Sequence, residues 1–211
     1  MAPSTVIFDL DGTIADTREL MFQSMRGVMR AYGRAPLTRE EFERVRGMTP
    51  QEIMRHYRIS VVQLPRIIAR MRAELHKGMN AVTSIRGMDK VLNALQARGV
   101  TTGLLTSNTK ENVQEFLARN CINSLDFIHA GTDIFGKSVM LKKIIRTQSL
   151  VRAQAVSVGD EVRDIVAARD ARVTSIAVTW GFNTRAILEA QRPDYLVDSP
   201  EALRKVFMRI L

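Results

Sequence analysis

Val6 to Asp16 reads VIFDLDGTIAD. A run rich in β-branched residues, the composition of a buried strand, ends in two carboxylates one residue apart, followed by a glycine and a threonine. Asp-Gly between strand-like runs is a hairpin signal, because glycine tolerates φ > 0. A hairpin needs a returning strand, whereas Thr17 to Tyr32 places Met21, Met25, Val28 and Tyr32 four, three and four residues apart, which is helical spacing. A calcium loop of the EF-hand kind needs a further oxygen ligand before its glycine and a later glutamate; neither stands at the required offset. The stretch is a strand whose carboxyl end carries two acidic groups.

The remainder divides at about residue 84. From Asp16 to Ser84 the pattern is helical: Arg39 to Val45, Pro50 to Tyr57 and Leu64 to Lys77 each place apolar residues on one face, with Pro50 suited to a first helical turn behind Thr49 as N-cap. Beyond Gly87, helical pieces (Met88 to Ala97, Asn112 to Arg119) alternate with the short apolar runs VTTGLL, LDFIHA, AVSVG, TSIAVT and DYLV. Such alternation implies parallel strands joined by crossovers. The expected fold is α/β, a Rossmann-like doubly wound parallel sheet, with residues 1–15 and 85–211 as the core and residues 16–84 as an inserted all-helical cap. The short junctions near Asp16 and Ser84 to Gly87 are expected to act as hinges.

At 211 residues the chain can bury a full core. No window has the apolar length needed to span a bilayer, and the N-terminus lacks the basic-then-apolar layout of a signal peptide, so a cytoplasmic location is expected. The single cysteine, Cys121, excludes an intramolecular disulfide and a cysteine-cluster metal site, and is expected in the core. Residues 16–84 carry 13 of the 31 basic residues but 7 of the 22 acidic ones, so most of the net charge of +9 lies there. It is mainly arginine at helical spacings without aromatic interleaving, the pattern of a solvated face that attracts anions rather than a nucleic-acid groove.

In an open parallel sheet, ligands bind outside the carboxyl ends of the strands. Those ends carry Asp9 and Asp11; Thr106, Ser107 and Asn108; Gly136 and Lys137, reached from LDFIHA through GTDIF at the start of a helix; and Asp160 and Glu161, with Asp164 four residues after Asp160. Taken singly, Thr106 to Asn108 read as an N-cap cluster, Lys137 as a surface lysine, and Asp160 with Asp164 as helix caps. Together the crowded carboxylates need a compensating cation, and hard oxygen ligands without histidine or thiol favour Mg²⁺. A phosphate dianion beside such an ion, a lysine and a threonine hydroxyl is set for phosphoryl transfer. One aspartate can serve as nucleophile and a second as proton donor and acceptor.

In order, Asp-x-Asp-Gly-Thr, Thr106, Lys137 and GDEVRD resemble the four motifs of the haloacid dehalogenase-like hydrolase superfamily. The helical insertion resembles that of its phosphoglycolate phosphatase and β-phosphoglucomutase branch. The resemblance implies Asp9 as nucleophile, Asp11 as acid/base with its backbone carbonyl on the metal, and Asp160 as a third metal ligand. It also implies Thr106 as the phosphate-binding hydroxyl with Ser107 as the alternative, Lys137 as the neutralising cation, and Asp164 as a supporting carboxylate. VRGMTPQEI resembles a loop facing the active site, making Arg46 a candidate substrate contact, against the alternative of a solvated arginine. Phosphoglycolate phosphatases commonly follow the lysine with Pro-x-Pro where this chain has GKSVML, so that substrate does not transfer. The implied activity is a Mg²⁺-dependent phosphatase acting on a small anionic phosphorylated metabolite. A phosphomutase and a non-catalytic binding protein are the alternatives.

Overall fold

A computed structural model describes residues 4–131 and 136–210; residues 132–135, within the GTDIF passage, lie outside the described residues. The β-branched run ahead of the aspartate pair forms β1 (Thr5–Phe8), wholly buried. It is flanked on one side by β2 (Thr101–Leu105) and then β3 (Phe127–His129), and on the other by β4 (Ala155–Gly159), β5 (Thr174–Val178) and β6 (Tyr195–Val197). Among the described residues this is one sheet of order β3-β2-β1-β4-β5-β6, with every neighbouring pair parallel.

Between β1 and β2 lie α1 (Arg18–Ala31), α2 (Arg39–Arg46), α3 (Pro50–His56), α4 (Leu64–Gly78) and then α5 (Met88–Gln96). Local signals fix several starts. Thr38 accepts from the Glu41 N–H at 3.1 Å, and Thr49 and Glu52 form a reciprocal capping box ahead of Pro50, which satisfies amides that have no partner inside the helix. The later crossovers are α6 (Lys110–Arg119), α7 (Lys137–Thr147), α8 (Val162–Ala171), α9 (Arg185–Ala190) and α10 (Pro200–Ile210). None of the described helices is long and apolar enough to cross a membrane.

Strand alternation assigns the two faces. Val6, Phe8 and Leu104 pack with residues of α5, α6 and α10, among them Leu92, Phe116 and Phe207. Ile7 and Leu105 point the other way, against Leu141 and Ile144 of α7 and Ala167 and Ala168 of α8. Both faces of the parallel sheet are therefore covered, as its continuous apolar strands require. The segments entering and leaving the α1–α4 region pair with each other: the Asp16 N–H donates to the Thr83 carbonyl at 2.9 Å, the Ile85 N–H to that of Ile14 at 2.8 Å, and Ala15 faces Ser84 in an antiparallel bridge.

Cys121 departs from expectation. It is exposed, because α6 ends at Arg119 and a φ of +54° at Cys121 turns the chain into a left-handed conformation that carries the side chain away from the core.

Gly103 of β2 pairs with Phe127, and a methyl at Gly103 would fall 2.1 Å from the Phe127 ring. Gly103→Ala should destabilise the fold by about 1–3 kcal/mol through overpacking, read as a lower urea midpoint. Adding Phe127→Leu should recover part of the loss; full additivity of the two changes would refute the clash.

Candidate active site

The alternation that sends Ile7 toward α7 and α8 also sends Asp9 there, one residue past the strand. The Asp9 N–H donates to the Val158 carbonyl at 2.9 Å, extending the β1–β4 pairing, and Asp9 Oδ1 lies 2.9 Å from Lys137 Nζ. Lys137 opens α7 and also pairs with Asp164 Oδ1. A cation at a helix N-terminus opposes the helix dipole, so these two carboxylates hold Lys137 in place. The other Asp164 oxygen accepts the Glu161 N–H at 3.0 Å. Asp164 therefore caps α8 and contacts the lysine at once.

After Asp9 the chain folds tightly on itself: the Leu10 carbonyl accepts the N–H groups of Thr13, Ile14 and Ala15. Gly12 has φ +75°, and a Cβ there would sit 2.3 Å from Asp160 Oδ2, so both conformation and space require glycine. Asp160 stands at the end of β4, fully buried. Its Oδ1 accepts from the Thr13 hydroxyl at 2.9 Å and its Oδ2 from the Phe182 N–H at 2.7 Å. One carboxylate oxygen from each of Asp9, Asp160 and Asp164 lies within 4.8 Å of the others.

Asp11 points elsewhere. Both its oxygens accept from Asn108 Nδ2 at 3.1 Å, and Asn108 Oδ1 accepts in turn from Asn112 Nδ2 at 2.8 Å. Asn112 meets His76 at the end of α4. Thr106 is fully buried, with its oxygen accepting the Asn108 N–H at 3.0 Å. The Ser107 hydroxyl is less buried and accepts from Arg163 at 3.2 Å.

Burial dominates the electrostatics. It pushes Asp9 up to about 7 against the opposing pull of Lys137. Burial also raises Asp11, opposed by the Asn108 hydrogen bonds. Asp160 is raised well above its ordinary value by burial and then by Glu161, Asp9 and Asp164. For Lys137 burial acts downward, yet Asp164 and Asp9 outweigh it and leave the ammonium above its usual value. Among the described residues neither Asp9 oxygen has an aligned hydrogen bond; Oδ1 meets Lys137 as an ion pair, and Oδ2 has no hydrogen-bond partner among them. A buried carboxylate oxygen without such a partner, beside two further carboxylates and with no histidine or cysteine in the cluster among the described residues, fits a hard divalent cation.

A family model for haloacid dehalogenase-like hydrolase matches residues 6–178. The chain belongs to the haloacid dehalogenase-like hydrolases. It is 30% identical over 207 residues to a phosphoglycolate phosphatase of Synechococcus elongatus, covering 98% of each chain. It is 25% identical to a pyrophosphatase PpaX of Bacillus mycoides, covering 100% of this chain and 99% of that one. A crystal structure described as a predicted phosphatase from Clostridium acetobutylicum superposes with a TM-score of 0.86 at 21% identity, over 99% of this chain and 100% of that one, and so shares the fold.

In this haloacid dehalogenase-like hydrolase Arg46 is buried rather than solvated, and its side chain is engaged by the protein itself. It is 7% exposed, and its guanidinium donates to the Phe182 carbonyl at 2.6 Å and the Gly181 carbonyl at 3.2 Å and pairs with Glu43. Its own carbonyl accepts from Asn183 Nδ2 at 2.7 Å. Arg46 thus ties α2 to the loop after β5, whose Phe182 amide holds Asp160 and whose Phe182 ring packs on Phe42.

That loop is a site element the sequence does not announce, since its partners lie more than 130 residues away. Arg163 is another. It pairs with Glu161 at 2.7 Å and is partly buried; that burial pulls its guanidinium down, but Glu161, Asp9 and Asp164 raise it overall. The surplus of carboxylates in GDEVRD was the available signal for it.

Lys137→Met should destabilise the protein by about 3–5 kcal/mol, because Asp9 and Asp164 would be left buried without their cation. The double variant Asp9→Asn, Lys137→Met should unfold at a higher urea concentration than Lys137→Met alone. An equal or lower midpoint would show that the ion pair is not what the lysine supplies.

Proposed function

We propose that this hydrolase is a Mg²⁺-dependent phosphatase that cleaves a small phosphomonoester through an aspartyl-phosphate on Asp9. The observation that carries the reading is the buried, unpartnered oxygen of Asp9 beside Lys137, with a second carboxylate, Asp11, held apart by Asn108. The phosphatases and pyrophosphatase among the relatives support the reaction class.

Asp9 Oδ2 attacks phosphorus while Lys137 and the hydroxyl of Thr106 or Ser107 meet the phosphate oxygens. Asp11, raised by burial, carries a proton to the leaving oxygen and then takes one from the water that opens the acyl phosphate. Asn108 holds Asp11 in line, and Asn112 and His76 hold Asn108. Asp9, Asp160 and the Asp11 backbone carbonyl would hold Mg²⁺, with Asp164 close enough to contribute; the ion neutralises phosphate charge when bound. The α1–α4 region serves as a cap, hinged at its two paired junctions. Opening it would also have to release or carry along the Arg46 tether.

Asp9→Asn is expected to abolish turnover without loss of fold, since the amide is nearly isosteric but does not attack phosphorus. Normal circular dichroism with substantial phosphate release would remove Asp9 from its role. In wild type, single-turnover labelling should give an acyl phosphate that decays in water fast enough to support steady-state turnover. Persistence until a phosphosugar is added would assign a mutase.

The metal has its own readout. Mg²⁺ should raise the thermal midpoint of wild type in a concentration-dependent way, and Asp160→Asn should remove that dependence. A midpoint insensitive to Mg²⁺ in wild type would overturn the site.

A further inference from the structure

Beyond the carboxylates the site opens into a cavity of about 210 Å³ bordered by α1, α3 and α4. Its floor is polar, made by Asp11, Ser107, Asn108, Glu161 and Arg163. Its walls are apolar: Met21 and Met25 from α1, Ile53 and Met54 from α3, Ile67 and Met71 from α4. Arg72 also lines the cavity and is engaged within the protein. A second hollow of about 110 Å³ shares Met25, Ile53, Ile67 and Met71 with the first and extends the apolar space away from the carboxylates.

These side chains sit on the inward faces of their helices, yet they are only half-buried; α3 has no fully buried residue and α4 only Leu75. Protein interiors pack without such gaps, and a space bounded by unbranched, adaptable methionines suits a flexible apolar guest. A sugar lying along these walls would leave most of its hydroxyls facing methyl and methylene groups, because the polar side chains are confined to the floor and Arg72.

We propose that the leaving group of the substrate is an apolar alcohol, its phosphate over Asp9 and its hydrocarbon lying between α1, α3 and α4. This rests on the phosphatase reading and specifies its substrate class.

The test is phosphate release from ethyl, butyl, hexyl and octyl phosphate. The leaving oxygen is chemically alike through this series, so only the apolar length changes. The expected result is a rise in kcat/KM of about twofold to fourfold per methylene, carried by KM because the contact is made equally in ground and transition states. Met71→Gln, close in size to the native residue, should lower the octyl-to-ethyl ratio of kcat/KM by threefold or more. A flat or falling series with phosphate still released would overturn the apolar assignment while the phosphatase stands. An unchanged octyl-to-ethyl ratio in Met71→Gln would overturn the placement of the chain between these helices. Absence of release from every ester, including p-nitrophenyl phosphate, would overturn both readings.

Discussion

Lys137 stands between Asp9 and Asp164 in a space that water scarcely reaches, and much of the site follows from that placement. Burying one ammonium is costly unless carboxylates meet it. Burying Asp9, Asp160 and Asp164 within reach of one another is costly unless cations and N–H or O–H donors outnumber the repulsions. Lys137 supplies one positive charge, and Thr13 and the Phe182 amide supply donors to Asp160. The donors come close only because side chains are missing where the backbone passes. A Cβ at Gly181 would lie 2.3 Å from Asp160, and one at Gly159 would lie 2.3 Å from Asp164. Even so the charges do not balance, which is why burial leaves Asp9 and Asp160 with raised proton affinities. A site left short of positive charge is one that gains from binding a cation.

Topology makes the crowding possible. β1 lies between β2 and β4, at the position where the strand order reverses direction and a crevice opens at the carboxyl ends. Residues at the ends of these three strands must therefore be neighbours, however far apart in sequence; Thr13 and Asp160 are separated by 147 positions and share a hydrogen bond. Asp9 and Asp11 then part company because Leu10 lies between them and packs into the core. One carboxylate goes to the lysine side and the other to Asn108, so two like charges two residues apart acquire different surroundings and can differ in task.

Much of this was legible in the sequence because the periods are local. AVSVG is β4 residue for residue, and the other strands differ by a residue or two at their ends. LDFIHA shortens to three residues in β3, since Asp126 bends its carboxylate back to the Thr102 N–H at 2.7 Å. α6 begins before the first apolar residue of its pattern because Thr109 caps it through the Asn112 N–H, a signal carried by one hydroxyl rather than by periodicity. Asp9, Lys137, Asp160 and Asp164 come together as strand-end reasoning expects. What could not be read were contacts fixed only by the assembled fold. Arg46 turning onto the loop after β5, Arg163 reaching Ser107, and Asn112 meeting His76 all join segments that no spacing rule connects. Cys121 was misplaced for a related reason: its burial was inferred from residue type, while a left-handed turn at the end of α6 decided it.

The basic excess of residues 16–84 and the apolar cavity inside the same residues belong to one arrangement. The arginines that make up the excess lie largely on the outer faces, several paired along the helices, as Arg44 is with Glu41 and Arg70 with Glu74. Such exposed pairs add little to stability, but the unpaired remainder gives the surface a positive potential that draws anions inward. Within, the methionine and isoleucine faces offer that anion no charge, and Arg72, which lines the same cavity, is engaged within the protein. An anion attracted to this region is therefore held by its charged end at the floor, where Arg163 lies and beyond which Lys137 meets Asp9, and by whatever apolar surface it carries above. Attraction and selection are thus assigned to opposite faces of the same helices. A change to the outer arginines should act on the rate of encounter, whereas a change to the inner wall should act on which ester stays.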